Sequence, residues 1–249
     1  MKIELSVVIP AHNEEGSILD TVESVTSVLT REQLSFEVVV VNDHSTDGTV
    51  EILAKLTKRI PQLRTVDNGQ LPGYGRTVVS GITVARGEYI AIMMADLSDD
   101  PEDLVRFYRT AQQRGVDCVF GSRFMPGGAT YEYPRLKLAL NRVANTLVRL
   151  LFGIRYNDCT NAFKLYKRET LEGLRPFLSP HFNLTLELPL KAIIRGYSYT
   201  VLPNSWRNRK SGVSKLKIKE MGSRYLFVLL YCLIERYFSR SDFKKSNVR

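Results

Sequence analysis

Four short apolar runs, Leu5–Ile9, Phe36–Val41, Tyr89–Met94 and Val116–Phe120, are rich in β-branched residues. Such near-continuous runs predict strands buried on both faces of a parallel sheet. Between them lie amphipathic stretches of helix length, residues 15–30, 49–59, 75–86 and 101–114. This alternation predicts an open α/β sheet, mostly parallel and built from right-handed crossovers. Helix starts are marked locally: Asp47 precedes Thr49–Lys58, and Asp100-Pro101-Glu102-Asp103 combines a capping Asp, a first-turn Pro and acids favoured by the helix dipole. Ser98–Asp100 therefore reads as a tight turn from strand to helix.

After Gly121 the alternation stops. A Gly/Pro-containing loop, Met125–Pro134, leads into a predicted helix at Arg135–Leu151; further elements are a helix at Leu184–Arg195, a strand at Tyr197–Pro203 and the basic stretch Arg207–Lys215. The last segment, Leu216–Arg240, reads as a helix with both ends charged. Its apolar run Tyr225–Ile234 has 10 residues, whereas an independent membrane span needs roughly 20. The expected organisation is an α/β domain over residues 1–215 and a basic helical tail over 216–249.

Composition places the 249-residue chain, 44% hydrophobic, among folded proteins. The formal charge of +9 points to an anionic partner, and residues 215–249 carry nine basic against three acidic residues. That charge accompanies an apolar helix rather than aromatic-interleaved strands, so nucleic acid is not the expected partner. Cys118, Cys159 and Cys232 are odd in number and widely spaced, which suggests neither a disulfide framework nor a zinc cluster. With no secretory pattern before the strand at Ile3–Pro10, a cytoplasmic location is expected.

In open α/β sheets ligands bind beyond the carboxyl ends of the strands. The first strand is followed by Pro10-Ala11-His12-Asn13-Glu14 and the second by Asn42-Asp43-His44-Ser45-Thr46-Asp47-Gly48-Thr49. Acids and amides at adjacent strand ends can accept hydrogen bonds from a nucleobase edge and ribose hydroxyls, although turns use the same residues. The strand at Tyr89–Met94 runs into Ala95-Asp96-Leu97-Ser98-Asp99-Asp100. Mg²⁺ and similar hard cations are commonly held by one or two carboxylates plus substrate phosphates. Asp100 is explained as a cap, Asp99 reads as an exposed turn residue or a secondary ligand, and Asp96 has no comparable structural explanation. His12, His44 and His181 are too scattered for a metal triad.

Together these strand ends resemble glycosyltransferase family 2, the inverting nucleotide-sugar enzymes of GT-A fold, and within it the polyprenyl-phosphate branch. Pro10–Glu14 is similar to a Pro-Ala-Tyr-Asn-Glu opening, and Asn42–Thr49 to Asp-Asp-x-Ser-x-Asp-Gly-Thr with Asn42 in place of the first Asp. Gly73-Tyr74-Gly75, Arg86–Tyr89, Gly121-Ser122-Arg123-Phe124 and Asp158–Lys164 are similar to later landmarks, and Arg209, Gly212, Ser214 and Lys215 to an Arg-x-x-Gly-x-Ser-Lys element. The Asp-x-Asp metal motif of the family would begin at Met94, leaving Asp96 as its second Asp and Ser98 in the place of a Gln.

The resemblance implies a GT-A domain, a C-terminal amphipathic or apolar helix, and inverting transfer of a hexose from a GDP- or UDP-sugar to a polyprenyl phosphate. Pro10, Ala11, Asn13, Glu14, Asn42, Asp43, Gly75, Ala95, Asp96 and Ser98 would bind the donor. Mg²⁺ or Mn²⁺ would sit at Asp96 and Ser98. Arg123, Asp158, Arg209 and Lys215 would join Asp96 in catalysis, and Glu187 is a weaker acceptor-site candidate. The tail helix would lie on the membrane, or pack on a membrane partner subunit or a second copy. Alternatives are transfer to a saccharide, lipid or protein hydroxyl, or a non-catalytic nucleotide-sugar-binding subunit, the latter suggested by Met94 and Asn42.

Overall fold

The computed structural model describes residues 2–208, 218–239, 242–243 and 245. The first half follows the predicted alternation: β1 (Leu5–Ala11), α1 (Ile18–Arg31), β2 (Phe36–Asn42), α2 (Thr49–Arg59), β3 (Leu63–Asp67), α3 (Tyr74–Val84), β4 (Tyr89–Ile92), α4 (Pro101–Arg114) and β5 (Cys118–Ser122). The second half adds β6 (Ala129–Tyr131), α5 (Arg135–Phe152), β7 (Lys164–Lys167), α6 (Arg168–Gly173), α7 (Leu184–Ile194), β8 (Tyr199–Pro203), β9 (Ser205–Arg207) and α8 (Ile218–Phe238).

The main sheet has the order β3-β2-β1-β4-β7-β5-β8, and β6 pairs with β9 beside it. All strands of the main sheet are parallel except β7, which runs antiparallel to both β4 and β5. Chain order reverses between β1 and β4, so the loops after these strands diverge and leave a crevice. Because β7 is reversed, the segment that enters it, 158–163, arrives at the same sheet edge from which the parallel strands leave.

Alternate residues of the strands feed two cores. Leu5, Val7 and Ile9 face α1, α2 and α4, whereas Val8, Ile90, Ile92 and Phe120 face α3, α5, α7 and α8. In α1 the buried positions Ile18, Val22, Val25 and Leu29 follow helical spacing. Asp100 caps α4 by accepting from the Glu102 N–H at 2.9 Å, Pro101 occupies the first turn, and Gly115 ends the helix at φ 62°. The capping signal at Asp100–Asp103 thus acts as expected, whereas the N-cap of α2 is Gly48 rather than Asp47.

Boundaries shift where chemistry intervenes. Residues 14–17 form a turn rather than helix, closed by the Ser17 N–H to the Glu14 carbonyl at 3.0 Å. The Met93 N–H still donates to the Val8 carbonyl of β1 at 3.0 Å, but the Met94 N–H turns away to Asp99 Oδ2 at 3.0 Å. Two strands of the main sheet, β3 and β7, have no counterpart in the hydrophobic pattern, nor do the short strands β6 and β9. β3 is an edge strand with mixed exposure, and β7 is only Lys-Leu-Tyr-Lys, so neither offers an apolar run.

Helix α5 departs most from expectation. Only Asn145, Val148 and Phe152 are buried, while Leu136, Val143 and Leu150 are 73%, 68% and 77% exposed. In α8, Val228, Leu229 and Cys232 join the core against α7, whereas Leu226, Phe227, Leu230 and Ile234 are exposed. Among the described residues no helix is long and apolar enough to cross a membrane.

Candidate active site

The loops after β1, β2, β4 and β5 converge on a cavity of about 660 Å³. Three of their turns contain a non-glycine residue in the left-handed region, Asn13 at φ 55°, His44 at 58° and Leu97 at 58°. Each such conformation costs of order 1–3 kcal/mol and persists only where surrounding bonds enforce it.

Those bonds are visible. The Asn13 Oδ1 accepts from the Thr46 N–H at 2.7 Å, the Glu14 N–H donates to Thr49 Oγ1 at 2.9 Å, and Glu15 Oε2 accepts from the Gly48 N–H at 2.7 Å. The loops after β1 and β2 are therefore stapled together. Pro10, Ala11, Glu14 and Asp43 face the cavity, whereas Asn13 is spent on the staple and Asn42 on Asp67 and the Ser45 N–H. Asn42 thus has a structural role of its own, with an amide donor that a carboxylate lacks. Burial opposes the charge of Asp43, yet bonds from Asn68, the Gly73 N–H and His44 hold its pKa below the ordinary value.

Beyond β4, Asp96 and Ser98 line the cavity. Asp96 Oδ1 accepts from the Ser98 N–H at 3.2 Å, and Ser98 Oγ is buried without a hydrogen-bond partner among the described residues. Ala95 lies behind them, 1% exposed, its carbonyl accepting from Thr21 Oγ1 at 2.9 Å. Asp99 is no exposed turn residue: it is 6% exposed and lines the cavity. Burial pushes its carboxyl up to about 7, against the favourable Met94 N–H bond, and the Asp96 charge adds to the rise. The burial comes from β9, since Asp99 bridges to Trp206 and the Arg207 N–H donates to the Ser98 carbonyl at 3.1 Å.

Gly75 serves by absence of a side chain. A Cβ there would collide with the Ser179 and His181 carbonyls, so Gly75 lets α3 seat against the 179–181 segment, and its neighbour Tyr74 faces the cavity.

Arg123 follows β5 and faces the cavity from the other side. Its Nε and Nη2 donate to the two oxygens of Asp158 at 2.8 and 2.7 Å, and its backbone N–H donates to the same carboxylate at 3.0 Å. Burial disfavours the guanidinium charge, but the adjacent carboxylate more than offsets this and raises the Arg123 pKa. Asp158 itself is fully buried behind Arg123 and does not line the cavity. Asp158 therefore meets the cavity only through Arg123.

Arg209 and Lys215 lie outside the described residues. Glu187 is buried against Lys191 at 2.5 Å, away from the cavity. Sequence reasoning missed several groups that do line it: His12 and His181, Lys137 and Asn141 of α5, Trp206 of β9, and Arg224 and Tyr225 of α8. His12 Nδ1 donates to the Asp43 carbonyl at 2.5 Å, which fixes its tautomer. The anionic groups come from the β2, β1 and β4 side and the cationic Arg123, Lys137 and Arg224 from the β5 side and the two helices.

Among the described residues no group of three or more His, Cys, Asp and Glu is arranged to hold a metal. The donors present at the Asp96 turn are hard oxygens: the carboxylates of Asp96 and Asp99 and a Ser98 hydroxyl without a hydrogen-bond partner among the described residues. Such an incomplete set suits a divalent cation that completes its shell with diphosphate oxygens.

A doubly flanked, mostly parallel sheet with a nucleotide-sized crevice and acids at its switch point defines a GT-A architecture. Residues 6–175 match the sequence model of Glycosyl transferase family 2, and the chain belongs to that family as a glycosyltransferase. It is 31% identical over 216 residues to polyprenol monophosphomannose synthase of Mycolicibacterium smegmatis, covering 84% of this chain and 80% of that protein. It is 30% identical over 209 residues to glycosyltransferase AglD of Haloferax volcanii, covering 82% of this chain and a 33% share of that longer protein. Among solved structures, glucosyl-3-phosphoglycerate synthase from Mycobacterium tuberculosis, in complex with Mn²⁺, UDP and glucosyl-3-phosphoglycerate, superposes with a TM-score of 0.68 at 20% identity, over 98% of this chain and 82% of that one. The same enzyme has also been crystallised with Mg²⁺ and UDP.

Proposed function

We propose that this glycosyltransferase moves a hexose from a GDP- or UDP-sugar to the phosphate of a polyprenyl phosphate, while bound peripherally to the cytoplasmic face of a membrane. The observation that carries the reading is the double use of α5 and α8. Lys137, Leu140 and Asn141 line the cavity while Leu136, Val143 and Leu147 of the same helix face solvent; Arg224 and Tyr225 line it while Leu226, Phe227 and Leu230 do not. Helix α5 also holds four basic residues and no acid. An apolar face with basic flanks suits an anionic bilayer interface. A substrate whose phosphate enters the cavity while its hydrocarbon stays outside matches that layout, and the 31% identical relative is named a polyprenol monophosphomannose synthase.

The acids of the donor side, Glu14 and Asp43, would bind the nucleoside. Asp96 and Ser98 would hold Mg²⁺ or Mn²⁺, which when bound neutralises the departing diphosphate. Arg123, fixed by Asp158, would align the acceptor phosphate. The phosphate-clamping roles of Arg209 and Lys215 rest on the sequence resemblance, and their stretch is bounded by Trp206 and Gly222, both of which line the cavity. In the reaction an acceptor phosphate oxygen bonds to the anomeric carbon as the bond to the diphosphate oxygen breaks, and the nucleoside diphosphate leaves with the electron pair. No proton has to move, because the acceptor phosphate is already ionised, so alignment and charge stabilisation carry the catalysis.

The test is incubation with a panel of radiolabelled GDP- and UDP-sugars, with undecaprenyl phosphate or a saccharide as acceptor, with and without EDTA. Label should partition into the organic phase, disappear with chelation or with Asp96→Ala, and return to the chelated wild type with Mn²⁺. Label found only in the saccharide would defeat the lipid-phosphate reading.

A further inference from the structure

Lys164 opens β7 and is fully enclosed at 1% exposure, yet none of its described hydrogen bonds goes to a carboxylate. Its Nζ donates instead to the backbone carbonyls of Cys159 at 3.2 Å, of Asn161, and of Thr185 at 3.1 Å. An ammonium has three N–H donors, and here they reach two separate stretches of chain. Burial pushes the Lys164 amine down to about 7, but three carbonyl acceptors around Nζ favour the protonated form, which alone can donate to all three, so the carbonyls and the amine hold one another in place.

Both stretches form the cavity wall. The first, 158–163, carries Asp158, which grips Arg123, and Asn161, whose Nδ2 donates to the Gly121 carbonyl at 3.0 Å just before Arg123. The second begins α7 directly after His181 and Phe182, which also line the cavity. None of the described Lys164 bonds reaches the donor loops after β1 and β2.

We propose that Lys164 is a positioning residue for glycosyl transfer, whose ammonium ties the segment entering β7 to the first turn of α7 and thereby fixes Arg123 and the Phe182 wall relative to each other. The assignment of that wall to the acceptor rests on the lipid-phosphate reading; the tie itself does not. An uncharged Lys164→Met side chain keeps the volume and leaves three carbonyls without a donor. Lys164→Gln restores two donors.

The experiment measures, for the full chain and both variants, amide hydrogen exchange over 158–163 and 181–185, the ¹⁵N resonance of Arg123 Nε, and calorimetric affinities for UDP, GDP and citronellyl phosphate, a short isoprenyl phosphate. In K164M exchange should accelerate in both stretches together and the Arg123 signal should shift. Affinity for citronellyl phosphate should fall about 10- to 100-fold, the scale of a misplaced binding group, while the affinity for UDP or GDP stays within about twofold, and K164Q should recover part of each change. Should K164M not fold, K164Q against the wild type decides by the same readouts. Unchanged exchange in both stretches with an unmoved Arg123 signal overturns the proposal, as does an equal loss of nucleotide and citronellyl phosphate affinity. A wild-type protein that binds nucleotide but not citronellyl phosphate would instead overturn the lipid-phosphate reading, and exchange and the Arg123 signal would still judge Lys164.

Discussion

Replacing Asp158 by Ala would leave the Arg123 guanidinium, 7% exposed, without its charge partner in a site from which Asp158 is wholly buried. Breaking a buried pair by removing one member costs about 3–5 kcal/mol, because the remaining charge stays desolvated. For a chain of this length each kcal/mol lowers the melting temperature by roughly 2–4 °C, so Asp158→Ala should melt roughly 6–20 °C early. The double variant Arg123→Met/Asp158→Leu removes both charges and should recover most of that loss, since apolar replacement of a buried pair is often neutral or better. Activity should behave differently, remaining at least about 100-fold down in both, because the guanidinium proposed to align the acceptor is either displaced or gone. Urea unfolding together with nucleoside diphosphate release measures the two effects separately. A single variant that loses under about 1 kcal/mol, or a double variant as unstable as the sum of its parts, would refute the view of Asp158 as the counter-charge that holds Arg123.

Four other outcomes are expected. Val143→Glu with Leu147→Glu on α5 should abolish sedimentation with anionic vesicles while shifting unfolding by no more than about 0.5 kcal/mol per site, as exposed positions do; unchanged sedimentation would remove the membrane face. Ser98→Ala should weaken Mn²⁺-dependent UDP binding in calorimetry and leave the metal-free protein as stable as before, since its hydroxyl has no bond to lose among the described residues. Gly75→Ala should cost about 1–3 kcal/mol by forcing α3 off the Ser179 carbonyl, seen as an earlier urea midpoint. Glu37 is held below its ordinary pKa of 4.5: burial opposes its charge, but bonds from Ser6, Arg64 and the Arg86 N–H prevail. Its stabilising share is therefore complete above that value and lost as pH falls through the folded pKa, so Glu37→Gln should flatten the decline of stability below pH 4.5.

Asp96 is legible in the sequence because turn and capping chemistry account for its neighbours and leave it over. Asp99 is not, because what buries it is Trp206, more than a hundred residues later in the chain and paired through a single bridge. The donor-side loops can be placed from strand ends alone, but the amides of Asn13 and Asn42 could serve a ligand or a neighbouring turn equally well, and only geometry shows the turns taking them. Lys137 lies on a helix whose apolar pattern suggests ordinary core packing, and Arg224 and Tyr225 on one whose pattern suggests a membrane or partner face, so neither helix points to the cavity. In α5 that pattern misleads, since Asn145 is turned inward with Val148 and Phe152 while most leucines face out.

The reversed strand β7 divides labour along the polypeptide. The cavity-lining residues before Gly115 belong to the half assigned to the nucleotide, and the half assigned to the acceptor is lined by residues C-terminal to it. Gly115 itself sits in an open turn where an added Cβ would meet nothing. On the proposed division, two relatives cut and rejoined at that turn should yield a hybrid with the nucleotide preference of one parent and the acceptor of the other, so that a new donor–acceptor pairing needs the exchange of only one contiguous length of gene.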